Sequence, residues 1–404
     1  MKRHQPIGLA RVFRLLGGAA CVLTFAACQA ILGYDDLSFT PQGPADATLP
    51  DVSVPDVATI DAFADAVTDG RADGGDAAAV DATVVADGGP PACTRTSCAA
   101  NAYCDDATKK CACDPGFATN GGDCRPTAPV APGTHADADV CQRYAATSAD
   151  VPGDAWTGAS VPACDPGAIS VGDEVAVLRR AQFFRWLVGV APLPVDESRA
   201  PVFQRCAMAV ANNPAAGSFI PVAGACRTPD GAAAAATSLI SVGLGGRPAD
   251  AVDRWIQDAD ADRSLEDRRA LLSPALGPTA LGYYAGGTNG ADGICFASDL
   301  LANTGTKPDW YAFPPPGPFP AAYAQWGFSF HGPKSVQNLQ LVVTKKGGAA
   351  VPVDRFPLVS GQDGYNAILY KPLANLEVGA TYVVTVTNYD AAPIVWETKP
   401  IACP

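Results

Sequence analysis

The C-terminal part of the chain repeats short apolar runs separated by turn-forming residues. Five runs are rich in β-branched or aromatic side chains, at residues 326–330, 339–345, 367–370, 382–387 and 394–398. In the fourth run Tyr382, Val384 and Val386 fall on one face, as expected of a half-buried strand. Glycine-containing turns separate the runs, so the pattern predicts an all-β sandwich over residues 307–404.

The middle of the chain shows helical spacing instead. A helix is predicted over residues 173–189, with Asp173 as its N-cap and apolar positions at Val177, Ala181, Phe184 and Val188. A second is predicted over residues 198–212, with one buried face formed by Val202, Cys206 and Ala209. A short amphipathic helix begins at Ala251 and leads into the pair Arg268-Arg269.

Residues 34–92 follow neither pattern. They hold twelve aspartates against a single arginine, Arg71, and carry most of the net charge of −13. Because aromatics are scarce and the carboxylates repel one another, no core offsets the entropy of ordering, and residues 28–92 are predicted to be a disordered acidic tether. The aspartates do not form the pattern of a calcium loop. The remaining chain is nearly neutral and lacks the basic face that nucleic-acid binding needs.

The N-terminus has the features of an export signal. Basic residues precede an apolar stretch at residues 15–27 that is short for a membrane span. Phe25-Ala26-Ala27-Cys28 resembles a bacterial lipobox, which predicts a signal peptide at residues 1–27 and a lipid on Cys28. A competing match at Cys21 and an ordinary cleaved signal are the alternatives. Gln29 resembles the sorting residue of outer-membrane lipoproteins, so the outer membrane or cell surface is expected, with the periplasm or secretion as alternatives.

Cysteine number and spacing point to an oxidising compartment. Cleavage before Cys28 leaves twelve other cysteines, an even set suited to disulfides. Six fall in one short segment: Cys93, Cys98, Cys104, Cys111, Cys113 and Cys124. A segment this short needs disulfides to fold, although its length does not say which cysteines pair. Elsewhere, Cys206 and Cys226 flank one loop and are predicted to pair, while the partners of four remain open: Cys141, Cys164, Cys295 and Cys403.

The spacing of the six cysteines, with Pro115-Gly116-Phe117 after the close pair, resembles an EGF-like module over residues 93–125. The resemblance implies the disulfides Cys93–Cys104, Cys98–Cys111 and Cys113–Cys124. Residues 88–92 lack the acidic or amide ligands of the calcium-binding members, so no calcium is expected. Such a module serves either as a spacer or as a protein-binding unit.

The segment AVDRWIQDADADRSLEDRRALLSPALGPTALGYY, residues 251–284, resembles the second signature of the CAP superfamily, the cysteine-rich secretory, antigen 5 and pathogenesis-related 1 proteins. The resemblance implies a three-layer αβα CAP-like sandwich over residues 140–306, after a linker at 126–139, and an immunoglobulin-like form for the β-sandwich tail. The family's metal-binding cavity uses two histidines, and those positions here hold Phe219 and Asp267. A third position, near residues 239–241, has no carboxylate, so neither a metal nor another cofactor is expected.

Candidate catalytic groups are scarce. The histidines are His4, His135 and His331, and none falls in the predicted cavity, which argues against catalytic Ser-His-Asp or Cys-His arrangements there. We expect His331 to lie at the surface. A carboxylate pair joining Asp253 or Asp258 to Glu266 or Asp267 is the enzymatic alternative, although Asp258, Asp260 and Asp262 are more simply interpreted as a solvated loop. A cluster of aromatics is expected to pack in the core or between domains, with a carbohydrate groove as the alternative: Trp310, Tyr311, Phe313 and Phe319.

These patterns favour a multidomain, non-enzymatic cell-envelope protein that contacts the membrane through its lipid anchor. It would display EGF-like and degenerate CAP-like modules for a protein, glycan or lipid ligand outside the cell. A hydrolase-like enzyme with a rebuilt cavity and a purely structural or adhesive surface protein are the alternatives.

Overall fold

The computed structural model describes residues 93, 97–105, 107–148, 151, 154–158, 164–213, 224–258, 265–299, 307–356 and 365–404. The predicted signal peptide, Cys28, the acidic tether and Phe219 lie outside these residues. The described chain is mixed α/β, with an all-β C-terminal part. None of its helices combines the length and apolar character that crossing a membrane would require.

The N-terminal cysteine cluster forms two small hairpins, here called the cysteine module (residues 93–126). Strand β1 (Ala102–Asp105) pairs with β2 (Lys110–Cys113), and β3 (Phe117–Asn120) pairs with β4 (Asp123–Pro126). Three disulfides hold the hairpins, with the pairing that the resemblance implies: Cys93–Cys104, Cys98–Cys111 and Cys113–Cys124. Three of these sulfurs lie within 4.8 Å of one another, but as disulfides they offer no thiolate to a metal.

The helices of the described chain are α1 (Asp137–Thr147), α2 (Val171–Leu187), α3 (Ala200–Ala211), α4 (Pro229–Ala235), α5 (Asp250–Gln257) and α6 (Glu266–Leu272). The N-cap of α2 is Ser170, not Asp173 as predicted. Ser170 Oγ accepts from Asp173 N at 3.1 Å and donates to the Asp173 carboxylate at 2.7 Å. This reciprocal bonding satisfies a backbone N–H of the first turn and starts the helix at Val171.

A three-stranded antiparallel sheet lies between two groups of helices. Its order is β7 (Ser238–Val242), β9 (Gly293–Ala297) and β8 (Leu281–Tyr284). Alternate residues face opposite sides, as the period of a strand requires. One face packs with α2, α5 and α6 through Leu239, Tyr283, Ile294 and Phe296, and the other packs on α3 and α4 through Ile240, Tyr284, Cys295 and Ala297. Gly282 lets α3 approach closely, because a Cβ there would lie 2.4 Å from the backbone of Gln204. A short hairpin, β5 (Trp156–Thr157) with β6 (Ala168–Ile169), precedes α2.

The C-terminal part consists of two sheets that pack face to face. The first has the order β10 (Tyr311–Phe313), β12 (Phe328–Gly332), β16 (Asn366–Pro372) and β15 (Val353–Arg355). The second has the order β11 (Gly317–Pro320), β18 (Ile394–Ile401), β17 (Tyr382–Thr387), β13 (Gln340–Lys345) and β14 (Ala350–Val351). Phe330 and Trp396 meet between the sheets, with ring centroids 6.2 Å apart. All five predicted runs form strands.

One hydrophobic cluster runs through the helical and β parts. Phe184 of α2 lies 6.0 Å from Phe313 of β10 and 5.0 Å from Tyr323, measured between ring centroids. Tyr311, Phe313 and Phe319 are at most 1% exposed, which confirms that these aromatics pack in the core. The disulfide Cys141–Cys403 joins α1 to the second residue after β18. The two parts are therefore tied both by packing and by a covalent bond.

The predicted disulfide between Cys206 and Cys226 is wrong. Cys206 points from α3 onto the sheet and pairs with Cys295 of β9, with both residues fully buried. Cys226 lies in a loop with φ +55° and pairs with Cys164 in an earlier loop. Closeness in sequence misled the prediction, because the face of α3 that carries Cys206 is the face that packs on β9. The six disulfides of the described chain indicate an exported or extracellular protein.

Candidate functional site

The signature segment around Asp267 forms a joint between the helical and β parts. Asp267 is half-buried on the first turn of α6, and the next residue, Arg268, is 0% exposed. The Arg268 guanidinium makes five hydrogen bonds at 2.6 to 3.3 Å, which match its five N–H donors, to the carbonyls of Ile256, Gln257, Trp326 and Gly327 and to Ser329 Oγ. Burial lowers the pKa of Arg268 to about 10, so the guanidinium stays charged at neutral pH.

A second buried arginine fixes the other end of α6. Arg185 of α2 is 0% exposed, and its Nη1 donates to the carbonyls of Leu271 and Ser273 at 2.7 and 2.9 Å. Its Nε donates to Ala191 O at 2.9 Å. These carbonyls include those left without partners where a helix ends, so the arginine both caps α6 and ties it to α2. Arg268 and Arg185 thus hold the two ends of α6 in place.

The carboxylates named as a possible acid and base lie in two different environments. Asp258 follows α5 with φ +44° and is 8% exposed, so its assignment to a solvated loop is wrong. Its Oδ2 accepts from Arg268 N at 3.3 Å, which satisfies an N–H at the start of α6. Glu266 is exposed on the same turn.

Asp253 faces α2 instead. Arg180 Nη1 lies 3.4 Å from Asp253 Oδ2 and 2.9 Å from Asp250 Oδ1. Burial raises the pKa of Asp253 to about 6, and Arg180 opposes that rise. Asp253 Oδ1 and Tyr323 Oη are buried and have no hydrogen-bond partner. The group is a charged contact between α2 and α5, and the structure pairs Asp253 with Arg180 rather than with an acid of α6.

Both histidines in the described chain are buried against aromatic rings. His331 was expected at the surface, but it is 0% exposed, because β12 is an internal strand between β10 and β16. Its ring stacks on Tyr311 with centroids 4.4 Å apart, and its Nε2 lies 2.9 Å from Ser329 Oγ. Burial and the charges of Arg268 and Arg269 hold the pKa of His331 well below its usual value. His135 stacks on Trp186 with centroids 3.8 Å apart, and burial lowers its pKa also.

A cleft opens where the cysteine module meets α1 and α2, and we call it the junction cleft. Its volume is about 280 Å³. The side chains that line it include Tyr103 and Pro115 of the module, Arg143 and Ala146 of α1, and Arg179 and Trp186 of α2. The module touches the helical part beside it: Gly116 has φ +86°, and a Cβ there would lie 2.7 Å from Pro192. A larger side chain would separate the two walls, so glycine is required at this contact.

The junction cleft is positively charged. The Arg143 guanidinium lies 4.4 Å over the Trp186 ring, and Arg179 Nη1 lies 3.4 Å from Ala146 O. The amide of Gln182, which also lines the cleft, is hydrogen-bonded within the protein: it donates to Leu193 O and accepts from Leu193 N. The charged groups that line the cleft and could bind a ligand are therefore the guanidinium groups of Arg143 and Arg179.

Comparison of the chain with known families, curated proteins and solved structures finds no match. Its function must therefore be argued from the geometry of the described residues. A second cavity of about 350 Å³ lies between β6, α2 and α3. Its lining combines apolar residues such as Ile169 and Leu281 with three charged ones, Glu174, Glu197 and Arg205. The junction cleft is the stronger candidate, because it lies at a boundary between two structural units and both of its charged side chains are arginines. The second cavity mixes acidic residues with Arg205, which already pairs with Asp230.

Sequence reasoning did not find the junction cleft. Arg143 and Trp186 are far apart in sequence, and no motif joins them. The proline-rich linker was the sequence feature that could have indicated the cleft, because it packs on the helices beside it. A Cβ at Gly189 would lie 2.6 Å from Pro132. His135, three residues after Pro132, stacks on Trp186, so this part of the linker is packed on α2.

Proposed function

We propose that this protein is an exported, non-enzymatic binding protein, held at the cell envelope by a lipid on Cys28, that binds its ligand in the junction cleft. The observation that carries the proposal is the cleft itself, a concave site of about 280 Å³ at a boundary between structural units. The acidic tether would hold the site away from the anchor. In this account the outer membrane or cell surface is the place of display.

Several features support the assignment of the modules. The cysteine module has the three disulfides of an EGF-like unit. The sheet β7–β9–β8 with helices on both faces is the layering expected of a CAP-like sandwich, and the two-sheet C-terminal part suits an immunoglobulin-like tail. Arg268 in the segment at residues 251–284 serves packing, and so does Arg185, which binds the end of α6. This suits a degenerate CAP-like unit that has kept the fold and lost the cavity chemistry.

Thermal unfolding of the oxidised mature chain against a panel of peptides, cell-wall glycans and lipids tests the proposal. A ligand at one hundred times its dissociation constant should stabilise the chain by about 2.7 kcal/mol. Ala146→Trp fills the junction cleft from an exposed position of α1 and should abolish the stabilisation. Ala145→Trp is the matched control, because Ala145 is an exposed neighbour on the same helix that does not line the cleft.

Two results would contradict the proposal. A ligand response that survives Ala146→Trp would place the binding site elsewhere. Stabilisation by zinc that is lost on Asp267→Ala would support the alternative of an enzyme with a rebuilt cavity.

A further inference from the structure

The two arginines that face the junction cleft lack the ion pairs that many other arginines of the described chain form. Five of those meet a carboxylate: Arg125, Arg180, Arg199, Arg205 and Arg247. Five donate to backbone carbonyls, often at buried sites: Arg185, Arg254, Arg268, Arg269 and Arg355. Arg179 also donates to a carbonyl, Ala146 O at 3.4 Å. Within the described ranges, Arg143 and Arg179 form no ion pair, although the whole chain has 41 acidic residues against 28 basic.

The lining of the cleft explains why these charges stay uncompensated. Half of its lining residues are tyrosine, proline, threonine or alanine, and none of the described lining residues is an aspartate or a glutamate. Two like charges on one concave surface repel each other and raise the local concentration of anions. An acidic protein with such a site is arranged to attract a negatively charged ligand there.

Arg143 is also held in place before any ligand arrives. Its guanidinium stacks 4.4 Å over Trp186, and His135 lies on the same indole at 3.8 Å. A guanidinium fixed on an aromatic face loses less side-chain entropy when it binds a partner. Because a guanidinium can donate two parallel hydrogen bonds, it suits a planar carboxylate as well as a phosphate or sulfate.

We infer that the junction cleft binds a small polar molecule that carries an anionic oxygen group, such as an acidic sugar, with Arg143 and Arg179 as the residues that hold the anion. The inference rests on the proposed function and adds the chemical class of the ligand. The size of the site is consistent with one sugar ring, since about 280 Å³ is at the small end of ligand pockets.

Calorimetric titration of the oxidised mature chain tests this inference with four probes on one ring: glucose, glucuronate, glucose 6-phosphate and glucose 6-sulfate. We expect at least one of the anionic probes to bind and glucose to bind at least about tenfold more weakly, the scale of one charge-assisted hydrogen bond. The three anions distinguish a carboxylate from a phosphate or sulfate ligand. Binding of the preferred anion should weaken as salt is raised.

The double variant Arg143→Gln/Arg179→Gln should lose about tenfold or more in affinity for the preferred anion. Arg125→Gln/Arg247→Gln removes the same charge at exposed positions outside the cleft and should bind as the wild type does. The melting temperature of each unliganded variant shows whether it is folded. Equal binding of glucose and the anions, lost in Ala146→Trp, would overturn the inference and leave the proposed function standing.

Anion binding that the double variant retains would also overturn the inference. So would the absence of binding by all three anions at concentrations of roughly tens of millimolar. Anion binding that survives Ala146→Trp would contradict the inference and the proposed function together, because the site would then lie outside the cleft.

Discussion

Arg268 of α6 donates a hydrogen bond from Nη1 to Ser329 Oγ of β12, at 3.2 Å. Ser329 Oγ also lies 2.9 Å from His331 Nε2, so a buried polar chain of three residues crosses between the helical and β parts. Because Ser329 accepts from Arg268, its own hydrogen can be donated to a neutral His331 ring. Arg268, the residue after Asp267, thus fixes the two parts together.

Replacing Arg268 tests the importance of this joint. Arg268→Met leaves four carbonyls and a hydroxyl without their donor, two of the carbonyls and the hydroxyl being buried, and should lower the free energy of unfolding by about 3 to 5 kcal/mol. Urea denaturation measures the change. Arg247→Gln, at an exposed position, should change it by less than about 0.5 kcal/mol. A loss below about 1 kcal/mol in Arg268→Met would mean that the joint does not depend on this residue.

Asp253 should make the chain less stable as the pH rises from about 4 to 6. Its pKa in the folded state is about 6, above the usual value near 3.9 of an unfolded chain. In this window the folded state keeps a proton that the unfolded state has released, so the free energy of unfolding falls as pH rises. Relative to Asp253→Asn, the wild type should lose about 2 kcal/mol between pH 4 and 7. Parallel pH profiles of the two proteins in urea denaturation would rule out this coupling.

His331 should make the chain less stable as the pH falls, which is opposite to the effect of Asp253. Its pKa in the folded state lies well below the value near 6.5 of an unfolded chain. Below pH 6.5 His331 becomes protonated in the unfolded state but stays neutral in the folded state. The free energy of unfolding therefore decreases as the pH falls. Between pH 7 and 5 the wild type should lose about 2 kcal/mol more than His331→Phe, which keeps an aromatic ring against Tyr311. An equal loss in both proteins by urea denaturation would show that His331 is protonated in the folded state.

The disulfide Cys141–Cys403 should stabilise both the fold and the junction cleft. Its sequence separation of 262 is the largest among the disulfides of the described chain, and loop-closure entropy assigns such a bridge roughly 5 kcal/mol. Cys141 lies two residues before Arg143 on α1, so freeing this end should also weaken anion binding. Cys141→Ser/Cys403→Ser should therefore lose about 3 to 5 kcal/mol and several-fold in affinity. Cys164→Ser/Cys226→Ser should lose stability and keep its affinity, and an equal loss of affinity in both would contradict the local role of Cys141.

The proposed lipid on Cys28 is tested in a bacterial cell that processes lipoproteins. Radiolabelled palmitate should be incorporated into the wild-type chain, and Cys28→Ala should abolish the label. Cys21→Ala should keep it, because the competing lipobox is not expected to be used. Unchanged labelling of Cys28→Ala would disprove anchoring at this residue.

The local patterns of the sequence predict much of the fold. The alternation in residues 382–387 and the helical spacing from Val177 to Val188 each depend on neighbours in the chain, and the structure has β17 and α2 at these positions. The spacing of the six N-terminal cysteines likewise comes from one short segment. Such features can be read from sequence because the residues that cause them are close together.

Features that depend on distant residues could not be predicted in this way. Cys206 pairs with Cys295 because α3 packs on β9, and His331 is buried because β12 acquires neighbours on both sides. The junction cleft needs the cysteine module, α1 and α2 together, and its charge is evident only once Arg143 and Arg179 are found on one surface without an acid. Asp267 was singled out by resemblance, whereas the neighbouring Arg268 makes the hydrogen bonds that join the helical and β parts.

The central claim is that the junction cleft binds the ligand. Hydrogen–deuterium exchange of the oxidised mature chain tests it most directly, with and without a saturating concentration of the anionic glucose derivative that binds best. If the junction cleft is the binding site, the ligand should slow exchange in α1 and in the part of α2 around Arg179 and Trp186. The cysteine module near Tyr103 should also be protected, while α6 around Asp267 and the strands of the C-terminal part keep their rates. Protection confined to α6, with none in α1 or the cysteine module, would contradict the account.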